Sequence, residues 1–139
     1  MAHKCKSLVI HCMDFRLVES IRDWMKSEGM LCDADVVSLA GAGKELLTDG
    51  AGREILLKQI ELSAKLHHAT QVILLHHSDC GAYKASYTFN SFDEEKARHS
   101  EDMTKEAEII REKFPEMEVI KVLAIMKDGE GKEVEFEKM

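Results

Sequence analysis

Apolar residues along the chain occur in two patterns. Short uninterrupted runs rich in valine, isoleucine and leucine alternate with longer segments in which apolar positions recur every three or four residues. Uninterrupted runs are typical of strands buried on both faces of a parallel sheet, whereas the longer period indicates amphipathic helices. The alternation of the two patterns therefore predicts an α/β fold in which helices cover the sheet.

The uninterrupted runs predict four strands, and a shorter run predicts a fifth. A turn at residues 128–131 separates the last two runs, so we expect the fifth strand at the edge of the sheet. The predicted strands cover residues 7–12, 35–40, 71–76, 118–126 and 133–137.

Three segments have helical periodicity, over residues 17–29, 55–66 and 93–113, and Pro115 closes the third. The third segment is rich in Glu and Lys, which predicts a solvated helix face. Together with the strands, these helices predict a mostly parallel four-stranded sheet with flanking helices and a short C-terminal edge strand. The length of the chain suits a single domain over residues 1–139.

Charge and cysteine content narrow the function classes. With a net charge of -7 the chain lacks the clustered basic residues that bind phosphate, so neither nucleic acid nor a membrane surface is expected as a partner. No apolar run approaches the ~20 residues of a membrane span and no apolar signal core is present, which predicts a cytoplasmic protein. Because cytoplasmic thiols are kept reduced, the four cysteines are expected to bind metal or to pack in the core.

Cys12, His77 and Cys80 lie at or just beyond the carboxyl ends of the first and third predicted strands. Ligands of open parallel sheets bind beyond these ends. Thiolate and imidazole groups suit zinc, and three protein ligands leave a fourth position for water or substrate. The spacing alone is equally compatible with a buried thiol at Cys12 and a packed loop histidine at His77.

Asp14 and Arg16 follow Cys12 by two and four residues, which places a carboxylate and a guanidinium beside the first candidate ligand. A loop salt bridge of small energetic value is the ordinary alternative. Their position at the mouth of the sheet favours a zinc site whose open position is surrounded by polar side chains.

Two motifs in this order resemble those of the β-class carbonic anhydrases. That family has Cys-x-Asp-x-Arg after its first strand and His-x-x-Cys after its third, and residues 12–16 and 77–80 match these patterns. The Ala40-Gly41 pair matches the family's loop after the second strand. The resemblance is dense over residues 8–82 and weaker over residues 122–134.

The resemblance implies a zinc lyase of the carbonate dehydratase type. Cys12, His77 and Cys80 match the family's Zn²⁺ ligands, while Asp14 and Arg16 match its catalytic pair. A zinc-bound hydroxide would hydrate CO₂ to bicarbonate reversibly, with Asp14 aiming the hydroxide and Arg16 holding Asp14. Because the family's sites form at a dimer interface, the resemblance also implies a homodimer or a larger homo-oligomer.

Three departures from the family's pattern concern the surroundings of the site. Phe15 replaces a usual serine, Ser38-Leu39 stands where Arg-Asn or Lys-Asn is usual, and six residues precede the first strand, so no N-terminal helical arm is expected. We predict a substrate pocket lined by Phe15, Leu39 and Gly41. Two alternatives to CO₂ hydration stay open: hydrolysis of carbonyl sulfide or carbon disulfide at the same zinc, and a zinc-binding protein without turnover.

The remaining histidines and cysteines are assigned ordinary roles. His11 and His76 directly precede the ligands, and we expect packed or solvent-facing side chains rather than proton shuttles. His67-His68 stands at a helix end, where capping of carbonyl groups is expected. Cys5 and Cys32 are interpreted as core or surface thiols.

Overall fold

The computed structural model describes residues 3–139, and these residues form one five-stranded sheet. The strand order is β2-β1-β3-β4-β5; the first four strands are parallel and β5 is antiparallel to β4. This architecture confirms the predicted fold class. The strands are β1 Ser7–His11, β2 Ala34–Ser38, β3 Gln71–His77, β4 Glu118–Met126 and β5 Val134–Lys138.

Helices cover both faces of this sheet. Three of them match the predicted segments: α1 (Val18–Ser27), α2 (Ala51–His67) and α4 (Phe92–Lys113). The short helix α3 (Gly81–Lys84) and a 3-10 helix over Ala42–Leu47 were not predicted, because elements this short contain too few apolar positions to reveal a period.

Successive residues of the central strands point to opposite faces, and each face has its own core. Leu8 and Ile10 of β1 pack with α2 and α4, whereas Val9 packs with α1. Burial on both sides explains the uninterrupted apolar runs. Trp24 of α1 stacks on Phe136 of β5 with ring centroids 5.0 Å apart, which ties the edge strand to the second face.

The prediction of a solvated face for α4 was wrong for four of its polar side chains. They are spaced at intervals of four, three and four residues, which is the spacing of a helix stripe that faces a core. All four are at most 8% exposed: Glu95, His99, Asp102 and Glu106. His99 and Glu106 contact His76 near the carboxyl end of β3.

Candidate metal centre

Adjacent strands bring three predicted ligands together. β1 and β3 pair in parallel, with His11 opposite Leu75, so Cys12 and His77 emerge at the same edge of the sheet. The sulfur atoms of Cys12 and Cys80 and a ring nitrogen of His77 lie within 4.8 Å of one another, and all three residues are buried. The structure thus places side chains from two distant segments in one cluster of sulfur and nitrogen donors.

The turn between His77 and Cys80 is held by β4. Ser78 donates its N–H to the carbonyl oxygen of Ala124 (2.9 Å), and its hydroxyl accepts the N–H of Met126 (2.8 Å). Asp79 has φ 57°, a left-handed conformation that aspartate tolerates better than most residues. This tight reversal lets two residues three positions apart face the same point.

His77 has one ring nitrogen without a protein partner. Its Nδ1–H donates to the carbonyl oxygen of Ser78 at 2.6 Å, which leaves the Nε2 lone pair free. Nε2 is buried and makes no hydrogen bond in the structure. A buried, unpaired nitrogen is unfavourable, whereas a histidine that binds metal commonly donates its second N–H to a carbonyl. The donor set and this free lone pair fit a zinc ion.

Cys12 and Cys80 interact as a pair. A hydrogen bond from the Cys80 thiol lowers the pKa of Cys12, and the nearby His77 side chain and Gly41 N–H act in the same direction. The same bond with Cys12, together with burial, raises the pKa of Cys80. The pair therefore favours a state in which Cys12 is a thiolate that accepts a hydrogen bond from the Cys80 thiol. A buried negative charge of this kind attracts a cation.

Asp14 lies beside the cluster, and Arg16 holds it there. The Arg16 backbone N–H and Nε donate to Asp14 Oδ1 (3.0 and 3.1 Å), while Nη2 donates to Oδ2 (2.7 Å). These bonds lower the pKa of Asp14 to about 2. Asp14 Oδ2 is 3.9 Å from Nε2 of His77. The carboxylate is thus ionised, oriented and adjacent to the ligand atoms.

Arg16 has further partners, which the sequence did not reveal. Its Nη1 donates to Asp79 Oδ2 (2.8 Å) and to the carbonyl oxygen of Gly129 (3.1 Å), and Nη2 donates to the Asp79 carbonyl oxygen (3.0 Å). Asp79 also pairs with Lys84. The position of Asp79 between two ligands was the available signal, but its partner is distant in the sequence.

The loop between β4 and β5 packs directly on Arg16. A side chain added at Gly131 would place its Cβ inside the contact distance of the Arg16 carbonyl oxygen, so only glycine fits there. The Asp128 carboxylate accepts four backbone N–H groups of the same loop, from residues 130–133. The hairpin at one edge of the sheet therefore supports the side chain that orients Asp14.

The three predicted pocket residues occupy different environments. Gly41 is buried beside the cluster, with φ 78°, and its N–H points to Cys12. The Leu39 side chain packs against the core between β1, α2 and α4. Phe15 is 83% exposed and stands outside the cluster. The pocket assignment stays a prediction, and Gly41 is the member nearest to the ligands.

A buried polar network lies behind the cluster. One ring nitrogen of His76 pairs with His99 and the other with Glu106, each at 2.9 Å. Tyr83 donates to Asp102 at 2.8 Å, and its ring lies on that of His99 with centroids 4.1 Å apart. Of the two environments expected for His76, the structure shows the packed one. His11 is half-buried and bonds the Cys12 carbonyl oxygen (2.7 Å).

Within residues 3–139, no helix combines the length and the apolar character needed to cross a membrane.

Two comparisons by sequence find similar proteins. A family described as "Putative carbonic anhydrase" matches residues 2–135 of the chain. An uncharacterized protein of Rickettsia bellii (strain RML369-C) is 35% identical over 122 residues, which cover 84% of this chain and 74% of that relative.

Solved structures share the fold. The β-carbonic anhydrase CcaA superposes with a TM-score of 0.64 at 15% identity, over 99% of this chain and 79% of that one. The carbonic anhydrase of Streptococcus mutans gives a TM-score of 0.61 at 18% identity, over 99% and 82%. A carbon disulfide hydrolase in its apo form gives 0.54 at 16% identity, over 90% and 76%.

Proposed function

The chain belongs to the carbonic anhydrase family as a divergent member, and from that membership we propose that it is a zinc-dependent enzyme that hydrates carbon dioxide reversibly to bicarbonate. In this proposal Cys12, His77 and Cys80 hold the zinc. When bound, zinc acts as a Lewis acid that lowers the pKa of a water molecule and so makes it a nucleophile at neutral pH. Because two thiolates balance the charge of the ion, this zinc is a weaker Lewis acid than zinc in a site of three histidines. The neighbouring side chains therefore contribute more to catalysis.

The observation that carries the proposal is the position of Asp14. Its Oδ2 lies 3.9 Å from the free nitrogen of His77 and is oriented by Nη2 of Arg16. An ionised carboxylate in this place accepts a hydrogen bond from the attacking water and directs the water's remaining lone pair toward the substrate carbon. We therefore assign Asp14 as the catalytic residue.

Arg16 acts through Asp14 as a positioning residue. Its three donors occupy both carboxylate oxygens, so the carboxylate is held away from a role as a metal ligand. An Asp14 carboxylate bound to the metal would fill the open fourth position, whereas an Asp14 paired with Arg16 leaves that position to water or substrate. In this proposal the pairing of Asp14 with Arg16 is the active arrangement.

We further propose self-association and a cytoplasmic location. The exposed large apolar side chains nearest to Asp14 in the sequence are Phe15, Met13 and Val18, at 83%, 66% and 65% exposure, and we refer to these three as the apolar surface. A second copy of the chain would cover this surface and make a homodimer or larger homo-oligomer. The cytoplasm suits the two cluster thiols, which must stay reduced to bind metal.

Stopped-flow measurement of CO₂ hydration tests the proposal. Zinc-loaded protein should accelerate hydration, and Asp14→Asn should lower kcat by about 100-fold or more without loss of zinc. Asp23→Asn is the matched control, because Asp23 is an exposed aspartate on α1 that pairs loosely with Arg22 (3.7 Å). Equal rates at the buffer level for wild type and Asp14→Asn would contradict the proposal and would leave a zinc-binding protein without turnover.

Hydrolysis of carbon disulfide or carbonyl sulfide is the second candidate. Phe15 is the observation that favours it. This residue directly follows Asp14, and its exposed aromatic ring stands where the resemblance leads us to expect a polar serine. An apolar mouth suits an apolar substrate. Release of hydrogen sulfide from carbon disulfide at a higher kcat/KM than CO₂ hydration would favour this candidate.

A further inference from the structure

A second group of potential metal ligands lies at the opposite edge of the sheet. Cys5 precedes β1, Asp35 is the second residue of β2, and His67 is the last residue of α2. Their ligand atoms lie within 4.8 Å of one another. This edge is formed by the amino ends of the parallel strands, so the group is separated from the Cys12 cluster by the length of β1, roughly 20 Å. The two sites share no residue.

The group is organised by hydrogen bonds. Nδ1 of His67 bonds both carboxylate oxygens of Asp35 (2.9 and 2.7 Å), and the Ser63 hydroxyl donates to Oδ2 (2.7 Å). The backbone N–H of Cys5 donates to the His67 carbonyl oxygen (2.9 Å), which fixes the N-terminal segment beside α2. Three separate elements are thus held with their side chains converging. The expectation that His67 caps carbonyl groups was wrong for its side chain.

We propose that Cys5, Asp35 and His67 form a second zinc-binding site. A thiolate and a carboxylate together balance the double charge of the ion, and a neutral imidazole completes three protein ligands. Sulfur and nitrogen donors favour zinc over magnesium or calcium, which prefer oxygen. The metal replaces the hydrogen bond between His67 and Asp35, while the Ser63 hydroxyl continues to orient the carboxylate as an outer partner.

The site is accessible to an ion. The side chains of His67 and Asp35 are 39% and 31% exposed, and both residues line a cleft of about 260 Å³ together with Ser63. Three protein ligands next to a cleft leave further coordination positions to water. Bound zinc would connect the segment before β1 to β2 and to the end of α2.

Metal stoichiometry tests the second site without reference to catalysis. Metal-free protein is titrated with Zn²⁺, bound metal is measured by mass spectrometry, and Co²⁺ is used in parallel for its thiolate charge-transfer absorption. Wild type should bind two equivalents. Cys80→Ser, which damages only the first site, should retain one equivalent. Adding His67→Asn to Cys80→Ser should weaken the remaining binding by at least about 100-fold.

Two single variants of the second site, measured together with circular dichroism, distinguish loss of the metal site from loss of the fold. Cys5→Ser and His67→Asn should each lose one equivalent while circular dichroism stays that of the wild type. Cys32→Ser is the matched control, because Cys32 is an exposed thiol outside both groups, and it should keep two equivalents. One equivalent in wild type, unchanged in Cys5→Ser and His67→Asn, would overturn the second site and leave an ion pair between Asp35 and His67.

Discussion

Arg16 and Asp79 form an ion pair across 63 residues of sequence, with Nη1 of Arg16 2.8 Å from Oδ2 of Asp79. The contact joins the segment after β1 to the turn that carries His77 and Cys80. Because Arg16 also holds Asp14, the pair connects the carboxylate of one motif to the ligand turn of the other. Two sequence motifs are thereby fixed relative to each other by one guanidinium.

We therefore expect Asp79→Asn to slow the proposed hydration. The substitution removes the charged partner of Arg16 while the Asp79 backbone carbonyl remains, so kcat should fall by about 10-fold, less than for Asp14→Asn. KM and zinc content should be unchanged. Stopped-flow kinetics of Asp79→Asn, compared with Asp23→Asn, measure the effect. An unchanged kcat would show that the Asp79 carboxylate does not contribute to the positioning of Asp14.

Cys80→Ser should lower the zinc content by one equivalent and abolish the proposed activity. A hydroxyl is a poor substitute for a thiolate, and the loss of one of three ligands should weaken binding by more than about 100-fold. Cys32→Ser should retain the metal and the activity. The readout is zinc per chain after gel filtration, and undiminished zinc in Cys80→Ser would refute the assignment of this ligand.

Glu106→Gln should change how stability depends on pH. Burial raises the pKa of Glu106 above its ordinary value of 4.5, so the folded protein keeps this proton to higher pH than the unfolded chain. The free energy of unfolding of the wild type should then fall as pH rises above about 4.5, by at most about 1.4 kcal/mol per pH unit for one group. Glutamine should remove this contribution.

Urea unfolding of zinc-loaded protein measures the Glu106 effect. The measurements cover the range from about pH 5 to about pH 8, which lies above the ordinary pKa of a glutamate carboxyl group. Glu108→Gln is the control, because Glu108 is exposed on the same helix. It should reproduce the pH dependence of the wild type. Parallel curves for wild type and Glu106→Gln would mean that Glu106 ionises as readily in the folded protein as in the unfolded chain.

Phe15→Ser should weaken self-association. The ring is 83% exposed beside the site, and removing it takes away the largest apolar group of the surface formed with Met13 and Val18. Ile55→Ser is the control on α2, where the side chain is 54% exposed. Sedimentation velocity over a concentration series should show a larger dissociation constant for Phe15→Ser only. A wild-type protein that stays monomeric at high concentration would contradict the association.

Much of the fold could be predicted because its signals are local. Residues 118–126 of β4 were predicted to the residue, since an uninterrupted apolar run needs no knowledge of its neighbours. The grouping of Cys12 with His77 followed from the general rule that parallel strands end at one edge.

The features that were missed depend on contacts between distant segments. Glu106 and His99 look like solvated helix residues until His76 of β3 is placed against them. His67 looks like a helix cap until β2 brings Asp35 to it. Composition alone favours the exposed interpretation in each case, because charged side chains are seldom buried without a partner and the partner is far away in the sequence.

The side-by-side pairing of β1 and β3 also divides the first metal cluster between two parts of the chain. Cys12 belongs to the first part, and His77 and Cys80 belong to the second. A chain cut between α1 and β3 would leave neither fragment with a complete set of ligands. Binding of zinc to Cys12, His77 and Cys80 on mixing such fragments would report that β1 and β3 have paired, so this cluster can serve as a sensor of fragment complementation that is read through its metal.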